Sequence, residues 1–366
     1  MNFLGDLIPT AVVLGVLILI HEFGHFVACR FAGVRVEKFS VGFGPEILHI
    51  QGKETRYVIS LFPFGGYVKP SGESVSELEL GQLKPHDYLA ASVLKRIFIV
   101  VAGVLMNYLL SFFLFVTIFM AGRPMPLAQI GGFVKDYPAE SSGLAKGDRV
   151  VAVDGVTVEL WSDLTERLGR VSREQVELKV IRSGKEKNLH IPVRVEAVRD
   201  VFGKVHKLAR MGILPDPEAF EIEKLSLRDA FREGLLTELH LTGMTYKALF
   251  FLVTGRLSLK TISGPIGIVA MTGTAAKMGW VYLLHLTAVL GISLAVINLL
   301  PIPALDGGHL LFLLIEALRG KRVSLRFQEW VTQIGITFLM VLMILVLCND
   351  LINLQIFDHL KTAFGR

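Results

Sequence analysis

Long apolar runs alternate with polar stretches along this chain, and four of the runs are long enough to cross a bilayer as helices. The first extends from about Leu7 to Ala28 within 1–30, the second covers 97–121, the third 280–318 and the last 327–349. A spanning helix needs roughly 20 apolar residues. Between the first two runs the period changes. Val34-Arg35-Val36-Glu37 alternates, and Phe39-Ser40-Val41-Gly42-Phe43 alternates with the opposite parity, as in a strand with a bulge. Gly42-Phe43-Gly44-Pro45 signals a turn, and apolar runs follow at Ile47–Ile50 and Tyr57–Phe62. Residues 31–70 therefore predict a β-rich hairpin on or in the membrane, with an open edge that an extended peptide could join. Residues 71–96 read as a polar loop.

A different texture fills 128–196. It predicts a strand at Gly131–Val134, a short helix at Pro138–Leu144 and a strand with a tight turn over Gly147–Gly155. A helix follows over Trp161–Arg170 with Ser162 as its N-cap, then a hairpin over Val176–Ile191 turning at Ser183-Gly184. Residues 197–224, with Pro215 and Pro217, read as a linker. Over 225–257, Leu227, Phe231, Leu235 and Leu239 form one stripe opposite Arg228, Arg232 and Glu238, which predicts an amphipathic helix in the membrane interface. Residues 258–279, centred on Gly264-Pro265-Ile266-Gly267, read as a Gly-rich loop. In the third run Pro301, Pro303, Gly307 and Gly308 break the helix in mid-membrane. The fold class predicted is a multi-pass α-helical membrane protein of about four transmembrane helices. It carries a membrane-associated β-hairpin or sheet and an inserted α+β domain.

Composition agrees: 52% of the 366 residues are hydrophobic and 19% charged, with a mean hydropathy of +0.54. The net charge of +5 is modest, and the basic residues gather at the ends of the apolar runs. Nine lie between Arg30 and Arg96, and Arg319, Lys321, Arg322 and Arg326 crowd the loop before the last run. That distribution is a topology signal, with no nucleic-acid footprint. It puts these two loops in the cytoplasm, and both termini and the inserted domain on the other side. Cys29 and Cys348 end separate spans and predict no disulfide. The first run lacks a basic leader and a small-residue cleavage site, so it is read as a retained span.

The chemistry sits in that first run, as His21-Glu22-Phe23-Gly24-His25. On a helix, positions i and i+4 share a face, so His21 and His25 can grip one metal ion, with Glu22 beside it to take a proton from attacking water. A match this short also arises by chance, and a histidine packed in a helix bundle is the plain alternative. The cost of burying such groups at membrane depth favours the metal. Gly103 and Asn107, one turn apart in the second run, predict a helix–helix contact, either an ordinary one or one made against the metal-bearing helix. For a third ligand Asp306, His285 and His309 compete. Asp306 is preferred because it lies at the helix break, where a buried anion most needs a cation. Two imidazoles and a carboxylate leave a fourth position open, as in catalytic zinc sites. Asn298 is read either as a donor to an oxyanion or as a cap on carbonyls freed beside Pro301.

Taken together, His21-Glu22-x-x-His25, Asn298-x-x-Pro301-x-Pro303-x-Leu305-Asp306-Gly307-Gly308 and Gly42-Phe43-Gly44-Pro45 make the chain resemble the bacterial site-2 proteases. These are intramembrane zinc metalloproteases, and the regulator of sigma-E protease branch is the most similar. The succession over 128–196 looks like a PDZ domain in the permuted arrangement of bacterial proteases. The resemblance implies Zn2+ held by His21, His25 and Asp306, Glu22 as general base and Asn298 steadying the substrate or intermediate. It implies cleavage in or near transmembrane segments of partner proteins, typically a trimmed anti-sigma factor or a remnant signal peptide. It implies a bacterial cytoplasmic (inner) membrane location, a periplasmic PDZ domain, and a peptide or chain end in the PDZ groove. One departure stands out: that branch carries two tandem PDZ domains, and 197–216 is too short for a second. A non-catalytic PDZ-bearing scaffold is the rival reading. A transporter with a broken midplane helix is a third, poorly matched by four spans without a repeat.

Overall fold

The computed structural model describes residues 3–73, 83–171, 173–199, 205–258 and 263–353. The chain divides into two compact units, one comprising 1–118, 230–250 and 258–366, the other 119–229 and 251–257.

In the first unit, α1 (Phe3–Ala32) is followed by β1 (Val36–Gln51) and β2 (Arg56–Pro70), an antiparallel pair. The strands are folded on themselves. Phe39 and Ser40 have partners in both halves of β2, at Val68 and Tyr67 on one side and Tyr57 and Val58 on the other. Residues 48–51 then pair with 56–59. The result is a small sheet whose rungs run 66–70, 36–41, 56–60, 46–51. Large apolar side chains on its distal part, among them Ile47, Leu48, Ile50, Ile59 and Leu61, are exposed. Of the polar loop expected over 71–96, residues 74–82 lie outside the described residues. The rest holds one 3-10 turn, Tyr88–Ala90.

Next comes α2 (Val93–Ala121), which divides between the units. The first unit resumes within α4 (Leu227–Val253) and continues through α5 (Pro265–Met278), α6 (Trp280–Leu299), α7 (Asp306–Arg319) and α8 (Leu325–Asn353). Of these helices α1, α2, α6 and α8 are long and apolar enough to cross a membrane. The third apolar run is broken where its prolines predict, leaving α6 and α7 joined by residues 300–305.

One expectation fails here and another departs in part. Residues 265–278 are helical, not a loop. Pro265 occupies the first helical turn, where a missing N–H costs nothing, and the Asp350 carboxylate of α8 accepts the Gly264 and Gly267 N–H groups at 2.9 Å each. In α4 the leucine stripe is exposed, as an interfacial helix requires, but Glu238 of its polar face is not. Leu227, Leu235 and Leu239 are exposed, whereas Ala230, Gly234 and Glu238 are buried. A Cβ on Gly234 would stand 3.2 Å from Val116, so small residues let α4 approach α2, and the leucine stripe is left for lipid. Phe231 of that stripe also meets Phe112 edge-on, at 5.3 Å between ring centres.

The second unit is β-rich. It contains β3 (Arg123–Pro126), β4 (Ile130–Phe133), β5 (Arg149–Val153), β6 (Val156–Thr157), α3 (Trp161–Gly169), β7 (Gln175–Arg182), β8 (Lys185–Pro192), β9 (Arg194–Arg199), β10 (Val205–Arg210), β11 (Ile213–Pro215) and β12 (Phe220–Glu223). Four strands form one antiparallel sheet in the order β6-β5-β7-β8, and pairs β9–β10, β4–β11 and β3–β12 complete the unit. Alternate residues of the central strands, Val150, Val176, Leu178 and Val180, close the core with Ile130, Leu164 and Ile191. Asp154-Gly155 and Ser183-Gly184 all have positive φ, the mirror-image turn that suits a hairpin's twist.

The linker expected over 197–224 is contradicted. Apart from 200–204, which lie outside the described residues, it consists largely of strands that pair back onto β3, β4 and β9. Nor is Ser162 the N-cap of α3. That position is Leu160, and the Asp163 carboxylate reaches back to the Leu160 N–H at 3.0 Å. Asp148 is fully buried and accepts from Arg182 Nε and Nη2 at 2.6 Å each and from the Ala145 N–H. Burial alone would raise its pKa, but these donors hold the carboxyl below the usual aspartate range. Between α3 and the segment 209–215 lies a groove of about 450 Å³, lined by Trp161, Leu168, Met211 and Ile213 among others.

Candidate metal centre

Helical periodicity brings His21 and His25 to one face of α1, about 17 Å and about 11 Å before the end of that helix at 1.5 Å per residue. Their Nε2 atoms are 3.2 Å apart. Asp306, the first residue of α7, faces them. Its Oδ2 lies 3.0 Å from His21 Nε2 and 3.4 Å from His25 Nε2. The break between α6 and α7 makes this approach possible. Ala304 has φ +86°, and a Cβ on Gly307 would collide with the Leu300 carbonyl at 2.1 Å, so the chain turns back tightly before Asp306. The N-terminal end of α7 in turn favours a carboxylate at that position.

His285 and His309 do not join the cluster. Among the described residues, His21, His25 and Asp306 form the group whose ligand atoms could share one ion. His285 packs its ring edge-on to Phe115. Donor spacing fits zinc. Four ligands at about 2.0–2.1 Å in a tetrahedron lie roughly 3.3 Å apart, and the three observed edges bracket that value. Asp306 Oδ2 is sealed from solvent and accepts no hydrogen bond of acceptable geometry, with the two imidazoles as its neighbours. A carboxylate oxygen left so in an apolar span is strongly destabilised unless a cation meets it.

The surrounding groups hold these three in place. His25 Nδ1 lies 2.8 Å from the Ile99 carbonyl of α2. Its ring fills the space above Gly103, where an added Cβ would stand 2.3 Å from Nε2. Four residues further along the same face, the Asn107 amide stands 3.4 Å from His21 Nδ1. Asn298, in the last turn of α6, turns its Nδ2 to His21 Nε2 at 3.4 Å, so the amide points into the centre. Glu22 is aimed from the other side. The Val68 N–H of β2 donates to Glu22 Oε2 at 3.1 Å, and a Cβ on Gly66 would touch the Glu22 side chain at 3.6 Å.

Sequence reasoning missed the Ile99 carbonyl and the Val68 N–H, because backbone groups carry no residue signature. It also missed Glu316 of α7, which takes both terminal nitrogens of buried Arg96. A glutamate one turn before the predicted basic cluster was the available sign.

A helical membrane protein with two imidazoles, one carboxylate and a neighbouring carboxylate base is built as a hydrolytic metal centre. The model of Peptidase family M50 matches residues 9–342, and the chain belongs to that family. It is 34% identical over 348 residues to a candidate zinc metalloprotease of Clostridium acetobutylicum, covering 95% of this chain and 97% of the relative. A similarly named protein of Campylobacter jejuni is 31% identical, covering 94% and 93% of the two chains. The zinc metalloprotease RasP of Geobacillus kaustophilus is 29% identical, covering 95% and 98%. The protein is a membrane zinc metalloprotease.

Proposed function

We propose that this protease cuts peptide bonds within or beside transmembrane segments of partner proteins, as in regulated intramembrane proteolysis. The observation that carries the reading is the meeting, inside the α1 span, of three converging donors, a carboxylate base and the outermost rung of a sheet. His21, His25 and Asp306 would hold the zinc. When bound, it supplies a Lewis acid that activates water near neutral pH and polarises the scissile carbonyl. Glu22 takes the proton from the attacking water and passes it to the departing amide nitrogen, with the Val68 N–H keeping the carboxylate aimed. Asn298 donates its amide to the oxygen on which negative charge develops.

A helical substrate shields its peptide bonds, so the segment to be cut must unwind. Rung 66–70 offers an edge beside Glu22 on which an unwound chain can add as a strand. The exposed apolar side chains of the distal hairpin suit immersion in lipid, where the paired backbone is satisfied within the sheet. The second unit acts as a single PDZ domain, and its groove between α3 and residues 209–215 takes a chain end or extended peptide. The basic loops support a position of this unit outside the cytoplasm, on a bacterial inner membrane. Anti-sigma factors and remnant signal peptides, the substrates of the sigma-E regulator branch, are the substrate class.

The test is cleavage of a single-span substrate by the purified protein in lipid nanodiscs, with fragments mapped by mass. The expected cut lies within the apolar segment, and Glu22→Gln lowers the rate at least about 100-fold. A cut confined to the soluble flanks, or one that survives Glu22→Gln, contradicts the reading. The scaffold alternative needs structural histidines, which the converging donors around Asp306 do not favour.

A further inference from the structure

Asn107 is a fully buried polar side chain beside the centre that the proposed chemistry leaves without a task. Its Nδ2 stands 3.4 Å from His21 Nδ1, and its Oδ1, sealed from solvent, has no hydrogen-bond partner. We infer that Asn107 is a positioning residue for His21, acting as hydrogen-bond acceptor for its Nδ1–H.

The argument starts from the ring. His21 turns Nε2 toward His25 and Asp306, so Nε2 is the ligand atom. A neutral imidazole that gives its Nε2 lone pair to a metal carries its proton on Nδ1. That N–H is inside the bundle and needs an acceptor, and ligating histidines almost always have one. His25 has the Ile99 carbonyl at 2.8 Å. For His21, the group at Nδ1 that carries an unused acceptor is the Asn107 amide. A half-turn about its Cβ–Cγ bond exchanges two groups of nearly equal size and sets Oδ1 against Nδ1. One turn satisfies the imidazole N–H and uses the orphaned oxygen. Ile99, Gly103 and Asn107 then form a single i, i+4, i+8 row of α2, which receives both histidine rings: a carbonyl for His25, a gap for its ring, and an amide for His21.

This inference rests on His21 as a metal ligand and is independent of the substrate. The test is zinc affinity of the metal-stripped, full-length protein in detergent, measured by competition with a chelator, with cobalt substitution to record the ligand-field spectrum. Asn107→Leu, nearly the same size but without an acceptor, is expected to weaken zinc binding about 10–100-fold and to alter the cobalt spectrum. Asn107→Asp, which keeps an acceptor oxygen, is expected to stay within a few-fold of wild type. Ser111→Ala, one turn further along α2 and equally buried, is expected to leave affinity unchanged. If leucine is not accommodated, Asn107→Ala makes the same comparison without bulk. Wild-type affinity and spectrum in the variants without an acceptor overturn the inference, and so does an Asn107→Asp as weak as they are. A wild-type protein that takes up no zinc overturns instead the reading of His21 as a ligand.

Discussion

A methyl group added at Gly103 would stand 2.3 Å from His25 Nε2, closer than any real contact, and one at Gly24 would meet the Ala102 carbonyl at 2.5 Å. Helices α1 and α2 thus touch through two glycines, and the histidine ring occupies the room this leaves. Gly103→Ala is therefore expected to push His25 off its ligand position. Overpacking of this kind costs about 1–3 kcal/mol in stability, and zinc affinity should fall at least tenfold in the same chelator competition. Wild-type affinity would mean that the ring does not depend on this gap. The residues to which chemistry is assigned stood out in the sequence because each is anomalous where it stands: histidines and a glutamate in an apolar run, an aspartate at a helix break. The groups that aim them were readable only in part. Asn107 announced a contact but not its partner, and the Val68 N–H has no signature at all.

At the scale of elements, α7 is fastened at both ends. Asp306 begins it, and three turns later Glu316 receives the two terminal nitrogens of Arg96, at the start of α2, and a third contact from Arg322 at 3.4 Å. Both side chains of the main pair are buried. Removing one partner of such a pair leaves a charge without compensation, at about 3–5 kcal/mol, whereas replacing both with apolar groups is often neutral. Arg96→Met and Glu316→Leu are each expected to lower the thermal midpoint of the protein in detergent, and the double variant to recover most of the loss. Additive losses would argue against a coupled pair. The sequence misled where partners were distant. The stripe of α4 was visible, but the burial of Glu238 was not, because it depends on Gly234 letting that side of the helix approach α2. Helix α5 was hidden by Gly264, Pro265 and Gly267, because the carboxylate that satisfies its first N–H groups comes from Asp350. Strands β11 and β12 pair with residues some 80–100 positions away, beyond the reach of a local pattern.

For the whole molecule, four apolar runs and two motifs about 280 residues apart were enough to locate one centre, because burying imidazoles and carboxylates in a membrane has few physical justifications. The inserted β-rich unit was legible as strands and turns, while its true extent was not, since Pro215, which ends β11, and Pro217, between β11 and β12, suggested a linker. Most direct for the central claim is metal analysis of the purified wild type beside two variants. The account predicts about one zinc per chain for wild type and for Glu22→Gln, whose side chain is a base and not a ligand, and a loss of zinc for Asp306→Ala. Full zinc in Asp306→Ala would contradict it, as would a wild type without zinc.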